Sequence, residues 1–396
     1  MIDARKVFKA IKSLFEALAF EYKDLCLQCK LCTPVCPVYL VTADRRYTPW
    51  YRVELALRVF RGEPLSENDV IAIFTCTGCG ACTLACPFRL KTWLFIHLTK
   101  CILAVSGKAP ASLLRIAQAA EKSLHSFTID PRQTIQWIVE GGVRRGGGEY
   151  LYVPAPVENV FYTEEAIAKA RLFEVLDIDY TVSPEAYDLG GNMAIDLARP
   201  DIAFKALEKC LKEAEKLGAK YVIISECGAD HKWVLTFSRL LAREVGEDIP
   251  SKTFVPIYML VKEALNRRKP VLKKMSQAAL FSSCTIGRHY PTFYSYLKNI
   301  TVSIVGRLEE KTWKHRYNAC CGGSCLNIMR EPWARNIRLR ISLERISSFK
   351  SQTVLVPCAK CYISFRQALL AARKRGKRVK LVAAALLETI RASERL

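Results

Sequence analysis

Eight of the chain's seventeen cysteines fall into two copies of one spacing. Cys26-x2-Cys29-x2-Cys32-x3-Cys36-Pro37 lies in CLQCKLCTPVCP, and Cys76-x2-Cys79-x2-Cys82-x3-Cys86-Pro87 lies in CTGCGACTLACP. A cubane iron–sulfur cluster needs four thiolates at tetrahedrally arranged irons. Three closely spaced cysteines on a tight loop reach one cluster, and the fourth, before proline, is aimed at the other. Cys26, Cys29, Cys32 and Cys86 are therefore expected to hold one 4Fe-4S cubane, and Cys76, Cys79, Cys82 and Cys36 its partner. Two clusters that exchange ligands in this way lie close together and act as a short electron wire. A zinc site explains CxxC pairs, but not four cysteines and a proline twice over.

A second constellation lies in the C-terminal half: Cys284, the adjacent pair Cys320 and Cys321, and Cys358-Ala-Lys-Cys361. Thirty-five residues separate Cys284 from Cys320, and thirty-six separate Cys321 from Cys358. Each segment (ALFSSC, ACCGGSC, LVPCAKC) follows a strand-like run or lies beside glycine. Strand C-termini of a parallel sheet open onto one crevice, so three distant segments can bring five thiols to one site. Adjacent cysteines suit a cluster with bridging thiolates or a disulfide-exchange centre better than an ordinary cubane. Reduction of a disulfide also needs proton donors. His289, His315 and Lys360 lie near these cysteines in sequence, and histidine titrates near neutral pH. Cys101, Cys210 and Cys325 fit no pattern; Cys101 reads as core, and Cys325 follows Cys321 closely enough to lie near its cluster.

The elements that must carry these residues divide the chain. Residues 3–20 read as an amphipathic helix capped by Asp3, with Val7, Ile11, Leu14, Phe15 and Leu18 as its stripe. The 39 residues between the two motifs hold helical pattern at 49–60 and again after Ser66, which with Asp69 resembles a capping box. A further helix is predicted over 91–105. GGVRRGGG at 141–148 reads as a linker, which would leave the ferredoxin region as its own folding unit. Beyond it, strand-like runs at 150–153, 180–182, 221–225, 278–282, 300–305 and 353–356 alternate with helical pattern at 202–217, 233–245, 332–346 and 365–375. This alternation predicts parallel α/β units. The fold class expected is α+β multidomain: a helical two-cluster ferredoxin domain over 1–108, a helical and Gly-rich linker over 109–149, and two Rossmann-like α/β units over 150–270 and 271–396.

The spacing Cys-x35-Cys-Cys-x36-Cys-x2-Cys resembles the CCG domain of heterodisulfide reductases. With the ferredoxin pair, nearly the whole chain is similar to that family's fused catalytic polypeptide and to its relative DsrK of sulfite-reduction-associated membrane complexes. The resemblance implies a noncubane 4Fe-4S cluster on Cys284, Cys320, Cys321, Cys358 and Cys361 that cleaves a disulfide in single-electron steps. Residues 150–246 look like a worn copy of the same unit. LYVPAP stands in place of ALFSSC, Asp188-Leu-Gly-Gly191 in place of Cys320-Cys-Gly-Gly323, and Cys227-Gly-Ala-Asp230 in place of Cys358-Ala-Lys-Cys361. Relatives with two complete motifs differ here. Only Cys227 survives, which argues against a second noncubane cluster and leaves Cys227, Asp230 and His231 as a leftover or a substrate-binding remnant. A rival reading comes from flavin-dependent glycolate, lactate and glycerol-3-phosphate dehydrogenase systems, where similar polypeptides only conduct electrons. No GxGxxG follows a strand, so no flavin fingerprint is present in this chain.

Length (396 residues) and 51% hydrophobic content allow several domains with a sizeable core. The clustered cysteines suggest metal ligation in a reducing compartment rather than disulfides. The formal charge of +22 counts cysteines as neutral. Two cubanes at about −2 each bring it to about +18. The basic residues are dispersed and form no helix-turn-helix or zinc finger, so anionic protein, membrane or substrate partners are expected and nucleic acid is not. Neither a secretory signal nor a transmembrane run is visible. By resemblance, the expected partner is a membrane-integral cytochrome b-type or quinone-reactive subunit, with a small sulfur-carrier protein as a further candidate. The expected location is cytoplasmic, peripheral on the inner face of the membrane.

Overall fold

The computed structural model describes residues 2–127, 136–144, 146–249, 253–310 and 320–391. The N-terminal region is helical, and the remainder forms two parallel α/β units. Helix Ala4–Leu25 starts where the Asp3 carboxylate accepts the Lys6 N–H at 2.8 Å. Val7, Ile11, Phe15, Leu18 and Tyr22, spaced by three and four residues, are its buried face. Phe15 and Tyr22 stack on Phe95 of helix Thr92–Val105 at centroid distances of 5.3 and 4.8 Å. Helices Pro49–Phe60 and Glu67–Phe74 fill the span between the cysteine motifs. The second of them opens with a capping box between Ser66 and Asp69.

Strands β1 (Tyr150–Val153), β2 (Tyr180–Thr181), β3 (Tyr221–Ile224) and β4 (Phe254–Pro256) form one sheet in the order β2-β1-β3-β4. Strands β5 (Met275–Leu280), β6 (Val305–Glu309), β7 (Thr353–Val356) and β8 (Arg378–Leu381) form another in the order β6-β5-β7-β8. All pairings in both sheets are parallel, with Tyr150 opposite Tyr221 in one and Val356 opposite Leu381 in the other. Parallel strands need long crossovers, and helices supply them. The two units therefore repeat one topology.

Some predicted elements differ. Residues 300–304 end a helix, Pro291–Ile304, and only Val305 begins a strand. Tyr294, Leu297, Ile300, Thr301 and Ile304 form the buried face of that helix, and their helical spacing overrides the β-branched composition. β4 and β8 are short edge strands that composition did not signal. The helix expected from 365 begins at Ala359, capped by Cys358, because Cys361 lies in its first turn. Residues 233–237 are wound as a π-helix before helix Ser238–Glu244.

The ferredoxin region does not stand apart. One apolar core runs from Val7 and Phe95 through Trp233 and Phe237 to Leu326 and Ile341. Helix Ala4–Leu25 packs on Ser238–Glu244, where the Ser13 hydroxyl donates to Glu244 at 2.5 Å. The two ends of the Gly-rich segment are also packed. A Cβ on Gly141 would meet Ile167 at 2.8 Å, and one on Gly148 would meet the Tyr180 backbone at 2.7 Å.

Candidate functional site

The first cysteine loop begins where helix Ala4–Leu25 ends at Cys26, and it turns through left-handed Gln28 and Lys30. Cys36 caps helix Pro37–Thr42, held extended by the proline that follows. Its thiol is buried. Arg52, itself buried, places Nη1 3.5 Å from the Cys36 Sγ and donates to the Ala72 carbonyl at 2.6 Å and the Thr75 hydroxyl at 2.7 Å. Burial raises the Cys36 thiol above its ordinary range. Arg52 opposes that shift, while Cys79 and Cys76 add to it. Cys36 thus lies among the second motif's cysteines. Burial raises the Tyr22 hydroxyl above its usual range, and Cys82, Cys86 and Cys26 all lie close enough to add to that shift.

The second loop uses left-handed Gly78 and Gly80 to pass Cys76, Cys79 and Cys82 around a tight turn. A side chain at Gly80 would strike the His289 ring at 3.1 Å. The C-terminal half clamps this loop. Arg288 donates to the Cys79 carbonyl at 3.1 Å, Lys232 donates to the Gly78 carbonyl at 2.8 Å, and the Cys320 Sγ lies 3.4 Å from the Thr77 hydroxyl.

The three C-terminal segments meet. Cys284 follows β5 and left-handed Ser283, and Cys358 follows β7. The Cys320–Cys321 pair turns at Gly322 (φ +86°), where a Cβ would press on Ile341 at 3.0 Å. Cys284, Cys320, Cys321, Cys358 and Cys361 line one cavity of about 30 Å³, together with Thr77, Lys232 and Lys360. The Cys361 and Cys321 sulfurs are 3.1 Å apart. The neighbouring Cys320 thiol draws the Cys284 thiol down to about 6, with Lys232 contributing. The same thiol, followed by Cys361, holds Cys321 well below the ordinary range. Five convergent thiols with buried cations beside them suit an anionic iron–sulfur cluster. No three of the described His, Cys, Asp or Glu residues form a site for a single metal ion.

The worn copy keeps the backbone and loses the site. Gly190 (φ +87°) matches Gly322, and Cys227 caps helix Gly228–Lys232 as Cys358 caps Ala359–Ala371. The interior is filled, however. The Asp230 carboxylate accepts the Gly191 N–H at 3.0 Å, and Asp188 accepts from Ser126 and Gly190 at 2.8 Å each. Burial raises the Cys227 thiol well above its usual range. His231 accepts no charge readily, since burial pushes it down to about 4.

Of the other sequence candidates, Lys360 lines the five-thiol cavity and pairs with buried Asp196. His289 faces the second loop, with its ring edge-on to Trp93 at 5.0 Å. His315 lies outside the described residues. Cys101 is buried core near His97, and Cys210 contacts the Asp188 carbonyl at 3.3 Å. Cys325 sits by the second loop rather than in the cavity, with its Sγ 2.7 Å from the Phe74 carbonyl and 3.4 Å from the Lys100 ammonium. Sequence reading missed Arg52, Thr77, Lys232 and Arg288. No local motif marks them, although Lys232 does follow the Cys227-Gly-Ala-Asp remnant.

Known families share these two sites. Residues 23–90 match the 4Fe-4S dicluster domain, and residues 278–366 match the cysteine-rich domain called CCG. The first span holds all eight ferredoxin-type cysteines and the second all five of the cavity. The chain is therefore a 4Fe-4S iron–sulfur protein. The Hdr-like menaquinol oxidoreductase iron-sulfur subunit of Archaeoglobus profundus is 25% identical over 250 residues, which cover 54% of this chain and 44% of the relative. The Hdr-like menaquinol oxidoreductase iron-sulfur subunit 2 of Archaeoglobus fulgidus is 24% identical over 257 residues, with the same shares. The chain is thus similar to Hdr-like iron–sulfur subunits, and the similarity spans less than half the length of those relatives. An aspartate racemase homologue from Pyrococcus horikoshii OT3 covers 61% of this chain and 96% of its own at 15% identity, with a TM-score of 0.23 that supports no argument.

Proposed function

We propose that the chain is an oxidoreductase in which two cubanes feed a noncubane cluster that reduces a disulfide or related sulfur substrate. The cubanes are assigned to Cys26, Cys29, Cys32 and Cys86, and to Cys76, Cys79, Cys82 and Cys36. The noncubane cluster is assigned to Cys284, Cys320, Cys321, Cys358 and Cys361. The clusters would supply single-electron transfer; the protein supplies their order in space. The carrying observation is the contact of the second loop with the cavity: Cys320 donates to the Thr77 hydroxyl at 3.4 Å and lies beside Cys79. The final donor and the five-thiol site thus share a wall. The crossed ligand assignment is supported by the placement of Cys36 beside Cys76 and Cys79. The domain division at 108, 149 and 270 is supported by the two separate sheets, although one common core draws residues from all four parts.

The opposite end of the wire faces outward. Cys29 is exposed, and Leu25, Leu27, Leu31, Val35, Leu40 and Phe88 form half of the exposed large apolar residues of the described chain. A redox partner docks there in this reading. The relatives' names, as menaquinol oxidoreductase components, support a quinone-reactive membrane partner, with this chain peripheral to the membrane. Among the described residues no helix is long and apolar enough to cross a membrane. The test is anaerobic purification with iron analysis and a disulfide assay. About 12 irons per chain and reduction of a candidate disulfide are expected. Full ferredoxin occupancy with only about eight irons removes the third cluster. Twelve irons without disulfide activity, but with electron transfer from a flavin partner, establishes the conduit reading instead.

A further inference from the structure

The cations near the thiols do not all have carboxylate partners. Lys360 is paired with Asp196, which also accepts the Ser324 hydroxyl at 2.8 Å. Lys232 is different. It is 5% exposed, and its ammonium donates to the neutral Gly78 carbonyl at 2.8 Å. Among the described residues no carboxylate forms an ion pair with it. A buried charge without a counter-charge is costly, so an anion is required nearby.

Two cavities meet at this side chain. One is the five-thiol cavity; the other is lined by Cys76, Gly78, Trp93 and Lys100. Lys232 is carried by the worn repeat, at the end of the short helix that Cys227 caps. That helix is pressed onto the intact site. A Cβ at Gly228 would meet the Thr285 hydroxyl at 2.6 Å and the Cys358 sulfur at 3.3 Å, and the Ala359 N–H donates to the Glu226 carbonyl at 2.6 Å.

We propose that Lys232 is a positioning residue that serves as one shared counter-charge for the second cubane and the five-cysteine cluster, and that this is the role the worn repeat keeps in place of binding a cluster of its own. The inference rests on the cluster assignment above. Each site gains negative charge when it is reduced, and an ammonium between them favours both reduced forms. It also lessens the repulsion between two adjacent anionic sites, so an electron can move across without stranding charge on either side.

The test is an anaerobic redox titration of the intact protein, followed by electron paramagnetic resonance, on wild type, Lys232→Gln and Lys232→Arg. Glutamine keeps a donor for the Gly78 carbonyl but removes the charge. At fixed ambient potential, Lys232→Gln is expected to lower the reduced-to-oxidised ratio of both the second cubane and the cavity cluster about tenfold, or 59 mV for a one-electron couple. The Cys26–Cys32 cluster should not move, and Lys232→Arg should stay near wild type. The proposal is overturned if Lys232→Gln leaves both midpoints in place, if it shifts all three clusters alike, or if Lys232→Arg shifts them as far as Gln does. Iron lost from Gln but retained in Arg supports the counter-charge role; iron lost from both makes Lys232 a steric prop for the Gly78 turn and overturns it. Failure of the cluster assignment looks different. It appears in wild type as a missing third signal, and the effect of Lys232 on the second cubane can still be read.

Discussion

Three buried charges join the two α/β units, and their imbalance predicts how stability depends on pH. The Lys169 ammonium lies 2.8 Å from Glu158 and 3.2 Å from Glu226, with all three side chains at most 1% exposed. Glu226 also accepts the Tyr258 hydroxyl and the N–H groups of Val382 and Ala383 at 3.1 and 3.3 Å, which begin helix Val382–Thr389 of the second unit. One cation faces two carboxylates. Burial therefore pushes Glu158 from 4.5 up to about 7, despite the opposing pull of Lys169. The folded state then holds the Glu158 proton more tightly than the unfolded chain does. Its contribution is fully present below about pH 4.5 and is lost as pH rises through about 7. The shift corresponds to about 3 kcal/mol. Glu158→Gln should abolish this part of the pH dependence, which is read as the difference in anaerobic urea-unfolding midpoints between variant and wild type at pH 5 and pH 8. Lys169→Met is the converse. It leaves two buried carboxylates without a cation and should cost about 3–5 kcal/mol at neutral pH. If Glu158→Gln has the same pH dependence as wild type, or if Lys169→Met costs less than about 1 kcal/mol, the three groups are not the electrostatic joint described.

The remaining predictions concern the thiols. Cys36→Ser should damage the cluster of Cys76, Cys79 and Cys82, and spectroscopic loss confined to the Cys26–Cys32 cluster would contradict the crossed arrangement. Cys227→Ala should leave iron content unchanged, because aspartates fill the remnant site; a loss of about four irons per chain would refute this. Cys321→Ala should abolish disulfide reduction while the cubanes still accept electrons from an artificial donor, and retained wild-type activity would show the site assignment to be wrong. Cys320→Ala should also alter the second cubane's spectrum, since its thiol contacts Thr77 and Cys79; an unchanged spectrum would argue against the shared wall.

Cysteine spacing carried most of the site because cluster ligation is local. CxxCxxC fixes a loop around one cluster, and the following proline turns the fourth thiol outward, so the eight ferredoxin-type positions are legible without coordinates. Short apolar runs at 150–153, 221–224 and 353–356 were legible as strands because parallel strands buried on both faces need them. The matching order of both sheets, and the matching φ of Gly190 and Gly322, give physical form to the worn repeat that the sequence already suggested. What sequence could not convey is non-local. Residues 300–304 read as strand from their β-branched composition, and only their packing shows them to end a helix. The glycines at 141–148 read as a tether, yet Gly141 and Gly148 use their lack of a side chain for close packing. Arg52, Lys232 and Arg288 lie outside every motif, because a counter-charge needs only to point at a site from whichever element passes by. The order proposed for the electron path is tertiary as well. It follows from the contact of Cys79 and Thr77 with Cys320, more than 240 residues further along the chain, which the folding of both α/β units onto the ferredoxin loops brings about.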